Sequence, residues 1–375
     1  MLTERVRAQV DGLASGGLDV ATFSEAALSV LARAVPFSGA CFATADPASG
    51  LVTGTVKCNL DDLHDDEWAQ FEYAVPDTSA FQEVSRRPGR VLGLHAHTGG
   101  DTARSPRFSE FIQRYWNFGD ELRAALTVDG RTWGFLALFR EEGAGGAFTQ
   151  VEEEFLSRVT GSLATGLRSG LLVSAATAPA LTADDGPAVL VVDAAGDVVS
   201  ASVGAAARIA ELGGGTAGQY PLPSALWSLV GAARSMPGSG APVVLRLRLR
   251  TRGGHWVVAH ASRMLSRDGT STDVVLTIEE ARPPEIVPLV VAAFGLTARE
   301  QDVVSLVLQG VDTSGIAAAL HLSTYTVQDH LKSVFTKVGV RSRRELSAKV
   351  FFDQYAPRLA AGSAVGASGW FTGGR

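Results

Sequence analysis

Residues 296–346 read LTAREQDVVSLVLQGVDTSGIAAALHLSTYTVQDHLKSVFTKVGVRSRREL, and this stretch decides the C-terminal fold. Thr297 and Glu300 stand three apart before an apolar run, the spacing of a capping box, so a helix is expected from Ala298. Val303, Val304, Leu306, Val307 and Leu308 give it a wide apolar face, and Gly310 can supply a left-handed stop. Asp312 can cap a second helix, whose Ile316, Ala317 and Leu320 would face inward. Ser323 can cap a third, in which Val327, Leu331, Val334 and Val338 recur at helical spacing until Gly339. Ser342 and Glu345 repeat the capping box ahead of a fourth helix with Leu346, Val350 and Phe351. Four short helices with a tight turn at His321-Leu322 have the form of a helix-turn-helix.

Charge supports a distinct role for this end of the chain. The whole protein carries a net charge of −6, yet residues 282–358 hold nine basic side chains against seven acidic ones. Between Lys332 and Lys349 there are six bases and one acid, Glu345. A local basic patch on a helical unit is the electrostatic footprint of a nucleic-acid binder.

The segment resembles the LuxR-type DNA-binding domain. The likeness is carried in register by Leu296-Thr297-Ala298-Arg299-Glu300, Gly310, Ile316-Ala317, Leu320, Ser323, Thr326-Val327, His330, Lys337 and Gly339-Val340. Gly315 departs from the family, which usually has an acidic residue there, and weakens the second helix by about 1 kcal/mol relative to alanine. The resemblance implies that the third helix enters the major groove. It also implies that Gln328, Asp329 and Lys332 read bases. Glutamine suits adenine, lysine guanine and aspartate the cytosine amino group. Ser333 is expected on the same face. Ser323, Thr326, Lys337, Arg341, Arg343 and Arg344 are expected at phosphates, which position the domain without reading sequence. The implied partners are double-stranded DNA, a second copy of the chain on paired half-sites, and RNA polymerase.

Upstream, the 375-residue length suits several domains. Ala21 to Val35 has helical periodicity, and Ala40 to Ala45 and Leu51 to Val56 read as strands around a turn. Asp129-Gly130 lies between the apolar runs Leu122 to Val128 and Thr132 to Phe139, a strong hairpin signal. Thr149 and Glu152 form a capping box for a long helix with Val151, Phe155, Val159, Leu163 and Leu167 along its core stripe. This pattern resembles a GAF domain, most visibly in Trp133-Gly134-Phe135-Leu136-Ala137-Leu138-Phe139-Arg140. After an Ala/Pro/Gly-rich linker, about Ser174 to Pro187, strands are expected at Val189 to Val192 and Asp197 to Ser200, and a helix at Ala205 to Leu212. Three more strands follow, at Val243 to Arg250, Trp256 to Arg263 and Val274 to Glu279, with turns at Gly253-Gly254 and Asp268-Gly269. This resembles a PAS-like domain, with Arg246, Arg248 and Arg250 on one wet face. A short linker is expected between Pro284 and Leu296.

The expected organisation is multidomain. An α+β GAF-like sensory domain spans 1–173 and an α+β PAS-like domain 185–281. An all-α LuxR-type helix-turn-helix spans 290–358, with a disordered tail at 359–375. Two cysteines, Cys41 and Cys58, make no disulfide framework, and Cys41 reads as a small core residue. His95 and His97 are two apart, on opposite faces of any strand, so no metal site is expected. The N-terminus has no apolar signal region, and no stretch reads as a membrane span. No P-loop, dinucleotide fingerprint, nucleophile elbow or zinc spacing occurs. The reading is therefore a cytoplasmic DNA-binding regulator that is not an enzyme, has no cofactor and no membrane partner, and answers to a small-molecule or protein signal at its N-terminal domains. The ligand itself is unknown from sequence. The competing reading uses the helix-turn-helix as a protein-interaction module that does not touch DNA, which the basic run Lys332 to Lys349 argues against.

Overall fold

The computed structural model describes residues 2–143, 146–173, 186–214, 220–236, 245–265, 273–352, 364–365 and 371–372. Contacts divide the chain into two compact units. One comprises Met1–Val173, Gly186–Arg252 and Val257–Glu280, and Ala281–Arg375 forms the body of the other. The fold is multidomain, with two antiparallel sheets flanked by helices and a helical C-terminal region.

The first unit opens with α1 (Leu2–Ala14) and α2 (Val20–Leu31). Strands β1 (Gly39–Ala45) and β2 (Val52–Cys58) follow. Next come the short elements α3 (Asp65–Ala69), α4 (Phe81–Arg86), β3 (Val91–Gly93), α5 (Leu94–Thr98) and α6 (Gln113–Trp116). Two wide-turn helical segments, Gln70–Ala74 and Arg107–Ile112, lie among them. The long strands β4 (Phe118–Val128) and β5 (Arg131–Glu141) then lead to α7 (Gln150–Gly170). The sheet order is β2-β1-β5-β4-β3. The β4–β5 turn places Asp129 at φ 52° and Gly130 at φ 73°, the positive angles that an Asp-Gly hairpin needs.

Alternation along the strands assigns the two faces of this sheet. One face packs under α2 and α7, where Phe23 meets Phe42 edge-on at 6.2 Å between ring centroids. Gly134 is required there, since a Cβ would lie 2.3 Å from the Ala43 carbonyl oxygen and 2.4 Å from Leu167. The Thr149–Glu152 capping box forms, and Phe155, Val159, Leu163 and Leu167 are buried as expected. Val151 is not, being 67% exposed in the first turn, ahead of the part of α7 that lies on the sheet.

The other face carries Ala43, Ala125, Phe135, Ala137 and Phe139 against Phe81, Phe108 and Phe111. It also holds a buried ion network that the apolar reading of β4 did not foresee. Arg107 binds Glu121, with Nη1 donating to Oε1 at 3.2 Å, and Arg123 donates to Glu72 at 2.7 Å. All four side chains are at most 1% exposed. Asp77 accepts from Ser79, from the Ser105 hydroxyl and from the Arg107 amide. Burial would raise the Asp77 carboxyl, but Arg107 and these donors outweigh it and hold it below its ordinary value. The Arg107 guanidinium is shifted the other way: burial would lower it, and Glu121 and Glu72 hold it up.

The same unit contains the second sheet. It is built from β6 (Ala188–Val192), β7 (Val198–Ala201), β8 (Leu245–Arg250), β9 (Trp256–Arg263) and β10 (Val274–Glu280), with helices α8 (Ala205–Glu211) and α9 (Ser224–Ser235). Its order, β7-β6-β10-β9-β8, repeats the connectivity of the first. Helix α9 joins the two sheets. Ser228 donates to the Val52 carbonyl at 2.8 Å, and a Cβ at Gly231 would sit 2.5 Å from the Ala69 carbonyl oxygen.

The arginines of β8 do not share a wet face. Arg248 ion-pairs with buried Asp46 of the first sheet, and Arg250 donates to the Leu171 and Val173 carbonyls at 2.8 and 3.0 Å. Both meet partners supplied by the first sheet and the end of α7, which no local pattern reveals.

His95 and His97 lie on a helix rather than a strand. His97 bonds Thr78 at 3.0 Å and faces Arg87. Among the described residues no group of side chains is arranged to hold a metal, and no helix is long and apolar enough to cross a membrane. The linker at 174–185, the Val243-Val244 start of a strand and the Asp268-Gly269 turn lie outside the described residues. So does most of the tail, within which Ala364–Val365 pairs with Phe371–Thr372.

Candidate nucleic-acid interface

The second unit begins where a linker was expected. Pro283–Ala293 is instead helix α10. Pro283 is tolerated at a helix start because the amide it lacks would be unpaired there anyway, and Arg282 N donates to Glu285 at 2.8 Å. Four helices follow as expected: α11 (Ala298–Leu308), α12 (Thr313–Leu320), α13 (Thr324–Val338) and α14 (Arg343–Phe352).

The caps read from sequence form, except that in the Ser342–Glu345 pair the Glu345 carboxylate accepts from Arg341 N while Ser342 accepts from Glu345 N. Thr297 and Glu300 make the reciprocal box. Asp312 accepts from Gly315 N at 2.7 Å, and this bond, with one from Ser314, holds its carboxyl below the ordinary range. Ser323 accepts from Thr326 N at 3.0 Å. Gly315 proves to be more than a weak helix residue, since a Cβ would approach Val311 to 2.7 Å. The turn between α12 and α13 is made by His321 at φ 54°, while Leu322 N returns to the Ala317 carbonyl at 2.9 Å.

The core of this unit joins Val303, Val304 and Val307 to Ile316, Val327, Leu331, Val334, Val338 and Leu346. Each fully buried side chain of this kind contributes roughly 1.5–3 kcal/mol. The inward stripe of α13 therefore fixes which face of the helix remains outside.

One ion pair locks α11 to α13. Glu300, 4% exposed, accepts from Lys337 at 2.7 and 2.9 Å, from Ser333 at 2.6 Å and from Thr297 N at 2.7 Å. Burial alone would raise the Glu300 carboxyl, but the donors prevail and hold it at about 2. Two residues expected at DNA have partners within the unit: exposed Lys337 and half-buried Ser333 both donate to Glu300 of α11. Arg343 is likewise committed inside the unit, donating to the Val311 carbonyl at 2.8 Å and to Thr313 at 2.9 Å. It clasps the turn before α12.

The remaining residues stay on the surface. Gln328, Asp329 and Lys332 are exposed together, with Lys332 Nζ 3.5 Å from Asp329. Arg341 and Arg344 are exposed, and Ser323 and Thr326 lie at the start of α13, their hydroxyls 2.8 Å apart. Sequence reading missed Tyr325. It is 70% exposed and stands three and four residues before Gln328 and Asp329, on the same face. A large aromatic left outside a stripe of buried aliphatics was the available signal.

These placements separate two neighbouring arginines. Arg343→Ala should lower stability by about 1–2 kcal/mol through two lost hydrogen bonds, with the salt dependence of DNA binding unchanged. Arg344→Ala should leave stability unchanged and flatten that dependence by about one phosphate contact. Denaturation and salt titrations on both variants check this, and the reverse pattern would refute the assignment.

Residues 295–350 match the family model GerE, described as bacterial regulatory proteins of the luxR family. Over 51 residues the chain is 49% identical to a putative HTH-type transcriptional regulator in the exeN 3′ region of Aeromonas salmonicida. That match covers 14% of this chain and 26% of the relative, so the chain spans about a quarter of the curated relative's length. Among solved structures, a VqmA–ligand–DNA complex from Vibrio cholera is 20% identical with a TM-score of 0.24, covering 47% of this chain and 85% of that one. The bacteriophytochrome RpBphP3 from R. palustris is 12% identical with a TM-score of 0.32, covering 74% and 62%. The C-terminal segment of this chain thus carries a LuxR-type helix-turn-helix.

Proposed function

We propose that the protein is a sequence-specific, DNA-binding transcriptional regulator and not an enzyme. Its helix-turn-helix, 290–358, is controlled by sensory domains at 1–173 and 185–281 that take a small-molecule or protein signal. It acts in the cytoplasm as a homodimer on paired half-sites and communicates with RNA polymerase. The observation that carries this reading is the division of α13. Val327, Leu331, Val334 and Val338 are buried, while Gln328, Asp329 and Lys332 share an exposed face on a helix of the right length for the major groove. Ser323, Thr326, Arg341 and Arg344 flank that face and are assigned to phosphate.

Asp329 is the unusual member, since a carboxylate repels phosphate. Its role is to accept from a cytosine amino group and to hold Lys332 in register. Asp329→Ala should change the preferred base at one position of each half-site while raising affinity for unrelated DNA. Selection from randomised duplexes with both proteins tests this, and an unchanged preferred site would refute the role. Binding titrations of the full chain over a range of salt test the wider reading. A steep salt dependence together with preference for one sequence supports it. A DNA-independent protein partner and no duplex binding would favour the interaction-module reading instead.

A further inference from the structure

The inner face of the first sheet encloses a cavity of ≈ 530 Å³, its solvent-open mouth included. Much of that space is open solvent, and the enclosed part is small, with room for a single ring at most. Its walls are largely aromatic, with Trp68, Phe81, Phe111 and Trp116 among them. Arg107 and Arg123, both 1% exposed, are among its polar lining groups. Each arginine uses its terminal nitrogens on Glu72 or Glu121, and the Nε–H of each is buried without a hydrogen bond, that of Arg107 lying 4.0 Å from the Glu72 carboxylate. A buried donor without an acceptor is costly, so two on residues that line one cavity mark where an acceptor belongs.

The charges around the cavity limit what that acceptor can be. The two guanidinium groups pair with Glu72 and Glu121, and Asp77, which accepts from the Arg107 backbone amide, adds a third carboxylate nearby. Lys57, also on the wall, is matched by Asp65 at 2.6 Å and Asp62 at 2.7 Å. No positive excess remains to hold an anion. Cys41 adds a neutral wall group, since burial pushes its thiol up to about 12.

We propose that this cavity binds a small, neutral, planar molecule whose carbonyl oxygen or ring nitrogen accepts from the Nε–H groups of Arg107 and Arg123. The proposal deepens the sensory reading of the N-terminal unit and rests on it. Helix α9 supplies Ser224 to the wall, 3.3 Å from Thr55, so an occupant bears on the element that joins the two sheets.

The test uses the full chain with benzamide, nicotinamide and 2-pyridone as neutral probes and benzoate as the anionic control. Binding is read by calorimetry and by ligand-observed NMR. At least one neutral probe should bind with a Kd of about 1 mM or tighter, and benzoate at least about ten-fold more weakly than benzamide. Ala137→Leu and Cys41→Leu each add bulk to the cavity wall, although Ala137 stands opposite Arg123 and Cys41 opposite Lys57 in the strand register. Either variant, if its melting curve shows it folded, should lose binding about ten-fold or more. The proposal is overturned if no neutral probe binds, if benzoate matches benzamide, or if a folded cavity-filling variant binds as wild type does. DNA binding is measured separately on the same preparations. Loss of the probe result alone removes only this inference, whereas loss of DNA binding removes the regulator reading.

Discussion

Replacing Glu121 by leucine is expected to lower the stability of the N-terminal unit by about 3–5 kcal/mol, a large part of the roughly 5–15 kcal/mol that keeps a domain folded. Glu121 is fully buried and accepts from Arg107 and from Arg123, the latter at 3.5 Å. Removing it leaves two buried guanidinium groups with only Glu72 and Asp77 as carboxylate partners in the network. The penalty arises from the stranded charge more than from the lost attraction, which gives the prediction a second part. Arg107→Met combined with Glu121→Leu removes both partners and should recover most of the loss, because a buried pair is seldom better than apolar groups of the same volume. Denaturant titrations of wild type, single and double variants measure this directly. A loss below about 1 kcal/mol for Glu121→Leu would mean that the network is not buried as described.

Glu300→Ala should destabilise the C-terminal unit by about 3 kcal/mol at neutral pH. The carboxyl is held at about 2 against an ordinary 4.5, and each unit of such a difference is worth about 1.4 kcal/mol. Because the folded-state value is depressed, this contribution is fully present above about pH 4.5 and is lost as pH falls toward 2. The gap between wild type and Glu300→Ala should therefore close across that interval. Lys337→Ala should resemble Glu300→Ala at neutral pH, since it leaves the buried carboxylate without its cation. A gap that stays constant from pH 5 to about 2 would contradict the assigned role of the pair.

Much of the C-terminal unit was legible because its signals are local. Thr297, Asp312 and Ser323 cap helices within three residues of themselves, and Gly310 and Gly339 end helices at φ 81° and 73°. The Asp129-Gly130 hairpin and the α7 capping box are local in the same sense. What the sequence hid depends on distant partners. Lys337 and Arg343 read as free cations until Glu300, Val311 and Thr313 are brought beside them. Arg248 read as wetted until folding supplied Asp46, 202 positions away. The segment from Asn59 to Asn117 forms helical pieces of three to six residues, too short to show a period. Pro283-Pro284 read as a linker, although proline in the first turn is compatible with a helix. Glu121 and Arg123 alternate in an otherwise apolar strand, and that pattern could have marked a buried charged face.

The central claim is that the exposed face of α13 reads base sequence. The most direct measurement is selection of the full chain on randomised duplex DNA, with wild type beside a Gln328→Ala, Asp329→Ala, Lys332→Ala triple variant. Wild type should enrich a motif of paired half-sites, and the triple variant should keep salt-dependent binding while losing that motif. Enrichment of the same motif by both proteins would contradict the claim, as would its absence from both.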